Sequence, residues 1–201
     1  MLDGPFVFVD VDTQRDFLDP GGALFIPGSG AIRPALARLS AFARERGIPV
    51  VATACAHAPD DREDGFPPHC ILGTPGQDRI PETAFPNSVV VEPGSGSIPG
   101  SIPPHLAIHK HAYDVFSTPE AAAVFALHAR DRPTFVVYGV ATDYCVRCVV
   151  AGLLDRGHRV ALVVDAVRPV DPSREADALT RFARAGALLT VADAVCANAP
   201  S

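Results

Sequence analysis

Apolar residues arrive along this chain in two rhythms. Short runs rich in Val, Ile and Phe recur at 5–12 (PFVFVDVD), 48–54 (IPVVATA), 88–92 (SVVVE), 106–110 (LAIHK), 134–139 (TFVVYG), 159–166 (RVALVVDA) and 187–192 (ALLTVA). Each has the length and composition of a strand buried on both faces. Between them the spacing becomes helical. In 31–47, Ile32, Leu36, Leu39 and Ala43 share one face and Gly47 supplies the stop. Stretch 118–130 has Thr118 as N-cap, Pro119 at the first helical position and Glu120 in the first turn. Helices are also expected at 143–156, ended by Gly157, and at 172–185 after Asp171-Pro172. Strand and helix in alternation predict a doubly wound α/β fold, a mostly parallel sheet with helices on both faces, in a single domain over 1–201.

Two stretches break the rhythm. Residues 55–88 are rich in Pro, Gly and Asp yet lie between core strands, which marks a functional loop rather than a linker; 93–104 (PGSGSIPGSIPP) is a second interruption. In a parallel sheet, ligands sit beyond the carboxyl ends of the strands. Three chemically capable residues fall at such ends: Asp12, Lys110 and Cys145. Singly, each reads as well as a loop carboxylate, a surface ammonium or a core thiol, so their shared edge is the argument. Three roles stay open for Cys145. It is a small buried hydrophobe, or half of a thiol-disulfide pair with Cys148 in a CxxC, or a nucleophile whose thiolate is favoured by the positive end of the helix that follows.

Composition narrows the field. With 201 residues, 48% of them hydrophobic, the chain can bury the core of one large domain. No apolar run of membrane-spanning length and no signal-like start are present, so a soluble, cytoplasmic protein is expected. A net charge of −6 without a basic cluster leaves no footprint for nucleic acid or an anionic membrane. Five thinly spread cysteines suit a reducing compartment and free thiols. Of 17 basic residues, all but Lys110 are arginine. In a chain so biased towards arginine, a lone lysine points to a place where a compact ammonium is needed and a broad, planar guanidinium will not serve.

Four segments, in order, carry a resemblance. VDVDTQRDFLDPGGAL resembles the opening DxQxDF motif of the isochorismatase-like cysteine hydrolases, with Asp12, Gln14, Asp16 and Phe17 in its places. FPPHCILGTPGQ is similar to the PPHC segment of that family's nicotinamidase branch, KHAYDVF to its catalytic-lysine segment and GVATDYCV to its nucleophile turn. The resemblance implies a catalytic triad of Asp12, Lys110 and Cys145, an oxyanion hole from the amides of Ala141 and Cys145, and a cis peptide between Val140 and Ala141. Asp10, two residues before Asp12 and deeper, is not part of the triad on this alignment. It further implies a homo-oligomer acting on a small-molecule amide, with no organic cofactor.

One departure from the family bears on substrate. Its metal-binding members carry Asp-x-His after the second strand, a further His in the loop and the His of PPHC; here the stretch reads TACAHAPDDREDGFPPHC. His57 and His69 are retained, Cys55 stands for the aspartate, and Glu63 is nearest in register to the missing histidine. Cys55, His57, His69 and Glu63 form a candidate site for Zn²⁺ or another divalent ion, weighed against a metal-free site with both histidines in loop hydrogen bonds. Phe17, Phe66 and Tyr144 are candidates for the pocket wall, though each suits core packing equally. The expected activity is hydrolysis of a small carboxamide through a cysteine thioester, nicotinamidase-like. The alternatives are a metal-independent hydrolase of a linear amide or carbamoyl amine and, in a different class, a thiol-disulfide protein using Cys145 and Cys148.

Overall fold

Every apolar run of the sequence becomes a strand. The structure, a computed structural model, describes residue 2, residues 4–61 and residues 65–197. Its elements are β1 (Phe6–Val11), α1 (Arg15–Leu18), α2 (Arg33–Arg46), β2 (Val50–Cys55), β3 (Val89–Val91), β4 (His105–Lys110), α3 (Ala121–His128), β5 (Thr134–Val140), α4 (Cys145–Asp155), β6 (Arg159–Arg168), α5 (Glu175–Ala185), β7 (Leu188–Thr190) and α6 (Ala192–Ala197). The strands form one sheet in the order β3-β4-β2-β1-β5-β6-β7, and all its pairings are parallel. The order reverses between β1 and β5, where a doubly wound sheet opens its ligand crevice.

Alternation along β1 feeds both layers. Val7, Val9 and Val11 pack with Val124 and Phe125 of α3, Val146 and Val149 of α4 and Phe182 of α5. Phe6 and Phe8 face the other way, onto Leu36, Leu39 and Ala43 of α2 and Val195 of α6. Burying each of the larger side chains contributes about 1.5–3 kcal/mol before entropy is charged against it. Among the described residues, no helix is long and apolar enough to cross a membrane.

The differences from expectation have local causes. Thr118 is not an N-cap. Asp114 accepts the Phe116 amide (2.9 Å) and starts a 3₁₀ turn, Val115–Ser117, which Thr118 ends. Helix α3 then begins at Ala121, while the Glu120 carboxylate accepts the amides of Gly94 (3.1 Å) and Gly96 (2.8 Å) and docks the 93–104 loop. The run at 187–192 stops early because α6 starts at Ala192, whose amide is accepted by Asp165 (2.9 Å) on β6. That cap comes from a different element, so no local signal announces it.

Gly139 shapes the end of β5. It holds φ +114°, and an added Cβ would lie 2.0 Å from the Val11 carbonyl oxygen. Backbone therefore passes directly over β1 here, the β5–β6 register shifts between Val137 and Gly139, and the chain is aimed at the Val140–Ala141 peptide, which is cis.

His105, at the start of β4, shows how tightly the sheet's foot is packed. It is buried, its Nδ1 is hydrogen-bonded to the Ser88 hydroxyl, and its ring stacks on Phe85 at 3.9 Å between centroids. Burial, then the charges of Arg79 and Arg44, hold its pKa down to about 3. The folded state requires it neutral, whereas the unfolded chain protonates it near 6.5, so its contribution is full above that pH and is lost as pH falls towards 3. Urea unfolding is expected to show stability declining below about pH 6.5, this group adding at most about 1.4 kcal/mol per pH unit. In His105→Gln that slope should flatten; a slope unchanged from the parent would show that His105 does not set it.

Candidate active site

The site grows from the carboxyl ends of four adjacent strands. Asp12 follows β1, Cys55 ends β2, Lys110 ends β4, and Cys145 opens α4 beyond β5. Asp12 lies in the left-handed region (φ 49°), a conformation that costs a non-glycine residue of order 1 kcal/mol or more. Its amide bonds to the Thr53 carbonyl (3.1 Å) and its Oδ1 accepts the Thr53 hydroxyl (2.6 Å), which hold it there.

Lys110 is the hub. Its side chain is fully buried, with Nζ 2.9 Å from Asp12 Oδ2, 3.1 Å from Cys55 Sγ, 3.5 Å from Cys145 Sγ and 3.1 Å from the Ala112 carbonyl. Burial works against its charge. The neighbouring Asp12, Cys145 and Cys55 overcome that and raise its pKa well above the ordinary lysine value. Asp12 is raised by burial and by the Cys55 charge, against the pull of Lys110 and Thr53. The two thiols share a hydrogen bond. That bond, with Lys110, sets Cys55 well below the usual thiol range despite burial; the same bond together with burial pushes Cys145 up. Cys55 is therefore the more acidic of the two thiols.

The opening motif is a brace. Gln14 accepts the Cys55 amide (2.8 Å) and donates to the Cys55 and Gln77 carbonyls (2.8 Å each), clamping β2 and the loop to the end of β1. Asp16 accepts the amides of Cys70 (2.6 Å) and Ala23 (3.0 Å). Gly76 packs against it so closely that a Cβ would fall 2.3 Å from its carboxylate. Asp10 is buried in a separate network with Arg79 and Thr13, with Thr83 hydrogen-bonded to Thr13, and lies outside the Lys110 cluster. Past the cis peptide, Thr142 donates its amide to the Arg168 carbonyl (3.0 Å), and Asp143 accepts the amides of Val170 (2.9 Å) and Asp171 (3.2 Å). These bonds fix the turn carrying Ala141 and Cys145, and Cys145 begins α4, where the first amides lack intrahelical acceptors.

Phe17, Phe66 and Tyr144 all line a pocket over Asp12, Cys55 and Cys145, with about 360 Å³ of space between atoms including its open mouth. Phe66 meets Tyr144 edge-on at 5.3 Å, and Phe17 lies 5.3 Å from the His69 ring. Leu24, Ile26, Tyr113 and Val170 complete the apolar wall and went unrecognised in the sequence. Tyr113 and Val170 follow β4 and β6, so the strand-end rule could have found them.

Beyond Cys55, His57 bonds through its backbone with Cys70 and Leu72 (3.1 and 2.9 Å), which brings His69 alongside. Ligand atoms of Cys55, His57 and His69 lie within 4.8 Å of one another. His69 Nδ1 bonds to the Pro67 carbonyl (2.9 Å); a carbonyl only accepts, so Nδ1 carries the proton and Nε2 presents its lone pair. His57 Nε2 is buried without a hydrogen-bond partner. Two imidazole nitrogens and a cysteine sulfur gathered this closely are a donor set that suits a divalent ion. Glu63, expected as the fourth ligand, lies outside the described residues.

Cys148 does not join Cys145. All five cysteines are free, and Cys148 is half-buried, outside the fully buried stripe of α4. Cys145 turns its sulfur to Lys110, deep in the site, while Cys148, one turn on, stays at the half-buried margin of the helix.

Residues 6–193 match the Isochorismatase domain family. The chain is 30% identical to the nicotinamidase of Escherichia coli K12, covering 94% of this chain and 96% of that protein. It superposes on the pyrazinamidase of Pyrococcus horikoshii in complex with zinc with a TM-score of 0.76 at 28% identity, over 94% of this chain and 99% of the other. The N-carbamoylsarcosine amidase of Thermoplasma acidophilum gives a TM-score of 0.72, also at 28% identity, over 94% and 98%.

The hub geometry makes a sharp demand on Lys110. Lys110→Arg keeps the charge, but the guanidinium is broader than the ammonium and must push Asp12 and the thiols apart. Steady-state amide turnover should fall by about 10²-fold to 10⁴-fold, the span of positioned proton-transfer groups. Near-parental turnover would mean that a compact ammonium is not required.

Proposed function

Because this chain belongs to the isochorismatase family and is an amide-cleaving hydrolase of the nicotinamidase type, we propose that it converts a small, flat carboxamide to its acid and ammonia through a thioester on Cys145. The observation that carries the reading is one buried ammonium touching both a carboxylate and a helix-opening thiol on the floor of an apolar, aromatic pocket.

The residues divide the work. Asp12, whose burial makes it a stronger base than an exposed carboxylate, takes the Cys145 proton as the sulfur attacks the amide carbon. The C–N bond breaks as Asp12 returns that proton to nitrogen, and ammonia leaves. Water then attacks the thioester, giving the acid and restoring the Cys145 thiol. Lys110 holds the developing charges together, and the amides of Ala141 and Cys145 receive the oxyanion. Phe66, Tyr144 and Phe17 sandwich a flat substrate.

Cys55, His57 and His69 would hold a zinc-like divalent ion at the pocket's edge. When bound, such an ion supplies an anchor for a lone pair on the substrate, as a ring nitrogen offers. A linear carbamoyl amine, the kind of substrate named for the Thermoplasma relative, has no ring nitrogen and would not need it.

Ammonia release from nicotinamide, pyrazinamide and an N-carbamoyl amine, with zinc or with chelator, separates these substrates. Activity on the aromatic amides that falls on chelation supports the reading; chelator-resistant activity confined to the carbamoyl amine moves the assignment to that class. In the same assay Cys145→Ala should abolish turnover and Cys148→Ala should leave most of it. Equal loss in both, with a reversible disulfide between them, would mean thiol-disulfide chemistry instead.

A further inference from the structure

The two histidines of the Cys55 cluster are held differently at their far nitrogens. His69 has the Pro67 carbonyl. His57 faces Asp61: Oδ2 lies 3.7 Å from His57 Nδ1, a charge contact that a small closure would turn into a hydrogen bond, on the side opposite the unpartnered Nε2. The same oxygen accepts the Ala58 amide (2.9 Å) and stands 3.5 Å from Nδ1 of His111. His111 immediately follows Lys110, so consecutive residues at the end of β4 serve the thiol cluster and the histidine cluster.

We propose that Asp61, braced by His111, is the outer carboxylate of the metal site. It keeps the proton of His57 on Nδ1 and aims the Nε2 lone pair at the ion. A ligating imidazole needs one such acceptor to fix its tautomer and ring orientation, and an anionic acceptor also raises its basicity. His111 and the Ala58 amide hold Asp61 in place. Asp61 and His111 are positioning residues, and neither touches substrate or ion. This inference rests on the metal reading above.

The test is a titration of the metal-free protein with Co²⁺, followed by visible absorption, with Zn²⁺ competition for affinity. The parent should bind one equivalent, with a thiolate-to-cobalt band from Cys55. Asp61→Ala should weaken binding by about 10-fold to 100-fold without changing stoichiometry or band positions. Asp61→Asn, which keeps an oxygen for both the imidazole and Ala58, should recover part of that loss. His111→Ala, further out and on an exposed side chain, should cost less than Asp61→Ala and guards against local unfolding in the Asp61 variants. Parental affinity in all three variants overturns the proposal and leaves the metal reading standing. A changed cobalt spectrum or a second equivalent in the parent overturns it in favour of direct ligation by Asp61 and His111. A parent that binds no Co²⁺ overturns the metal reading and the proposal with it.

Discussion

An ammonium sealed from water constrains everything around it. Taking a charge of that size out of solvent costs several kcal/mol even after relaxation, and Lys110 recovers it only from partners within 3.5 Å: a carboxylate, two sulfurs and a carbonyl. Those partners come from four separate segments. They meet only because parallel strands end at one edge, and because β1 sits between β2 and β5 where the strand order reverses. The same charge explains why Asp12, Cys55 and Cys145 cannot each behave as isolated acids. One ammonium stabilises part of their summed negative charge, so a proton is shared among groups that would otherwise hold their own.

Much of the surrounding chain exists to keep that cluster aligned. Gln14 ties β1 to β2, Asp16 fastens the PPHC loop, and Asp10 anchors Arg79 from beneath, so a motif that looks catalytic is largely structural apart from Asp12. On the other side, Gly139 lets β5 cross the Val11 carbonyl, and Asp143 staples the nucleophile turn to the segment after β6. The Gln14, Asp16 and Asp143 clamps take backbone amides, which a loop must satisfy somewhere if it is to be buried.

Cys55 joins two chemistries. On one side it lies against Lys110 and Cys145, and on the other against His57 and His69. A thiolate is the form both a metal ion and a neighbouring ammonium favour. The Cys55 sulfur therefore sits where the Lys110 cluster and the pair of histidines meet.

What the sequence determined alone was whatever depends on short-range pattern. The seven apolar runs, the helix of Leu36 and Leu39, the strand-end positions of Asp12, Lys110 and Cys145, and the solitary lysine among arginines were all legible, because burial and backbone propensity act over a few neighbours. The tertiary structure decided what depends on groups distant along the chain. Asp165 capping α6 from β6, Glu120 turning from its own helix to the amides of Gly94 and Gly96, and Asp61 and His111 converging behind His57 have no local signature. Neither does the choice of Cys145 over Cys148 as the sulfur beside Lys110, since a CxxC read as letters says nothing about which sulfur a buried ammonium claims. Hydrogen bonds and charges act through space, and only the folded sheet sets those distances.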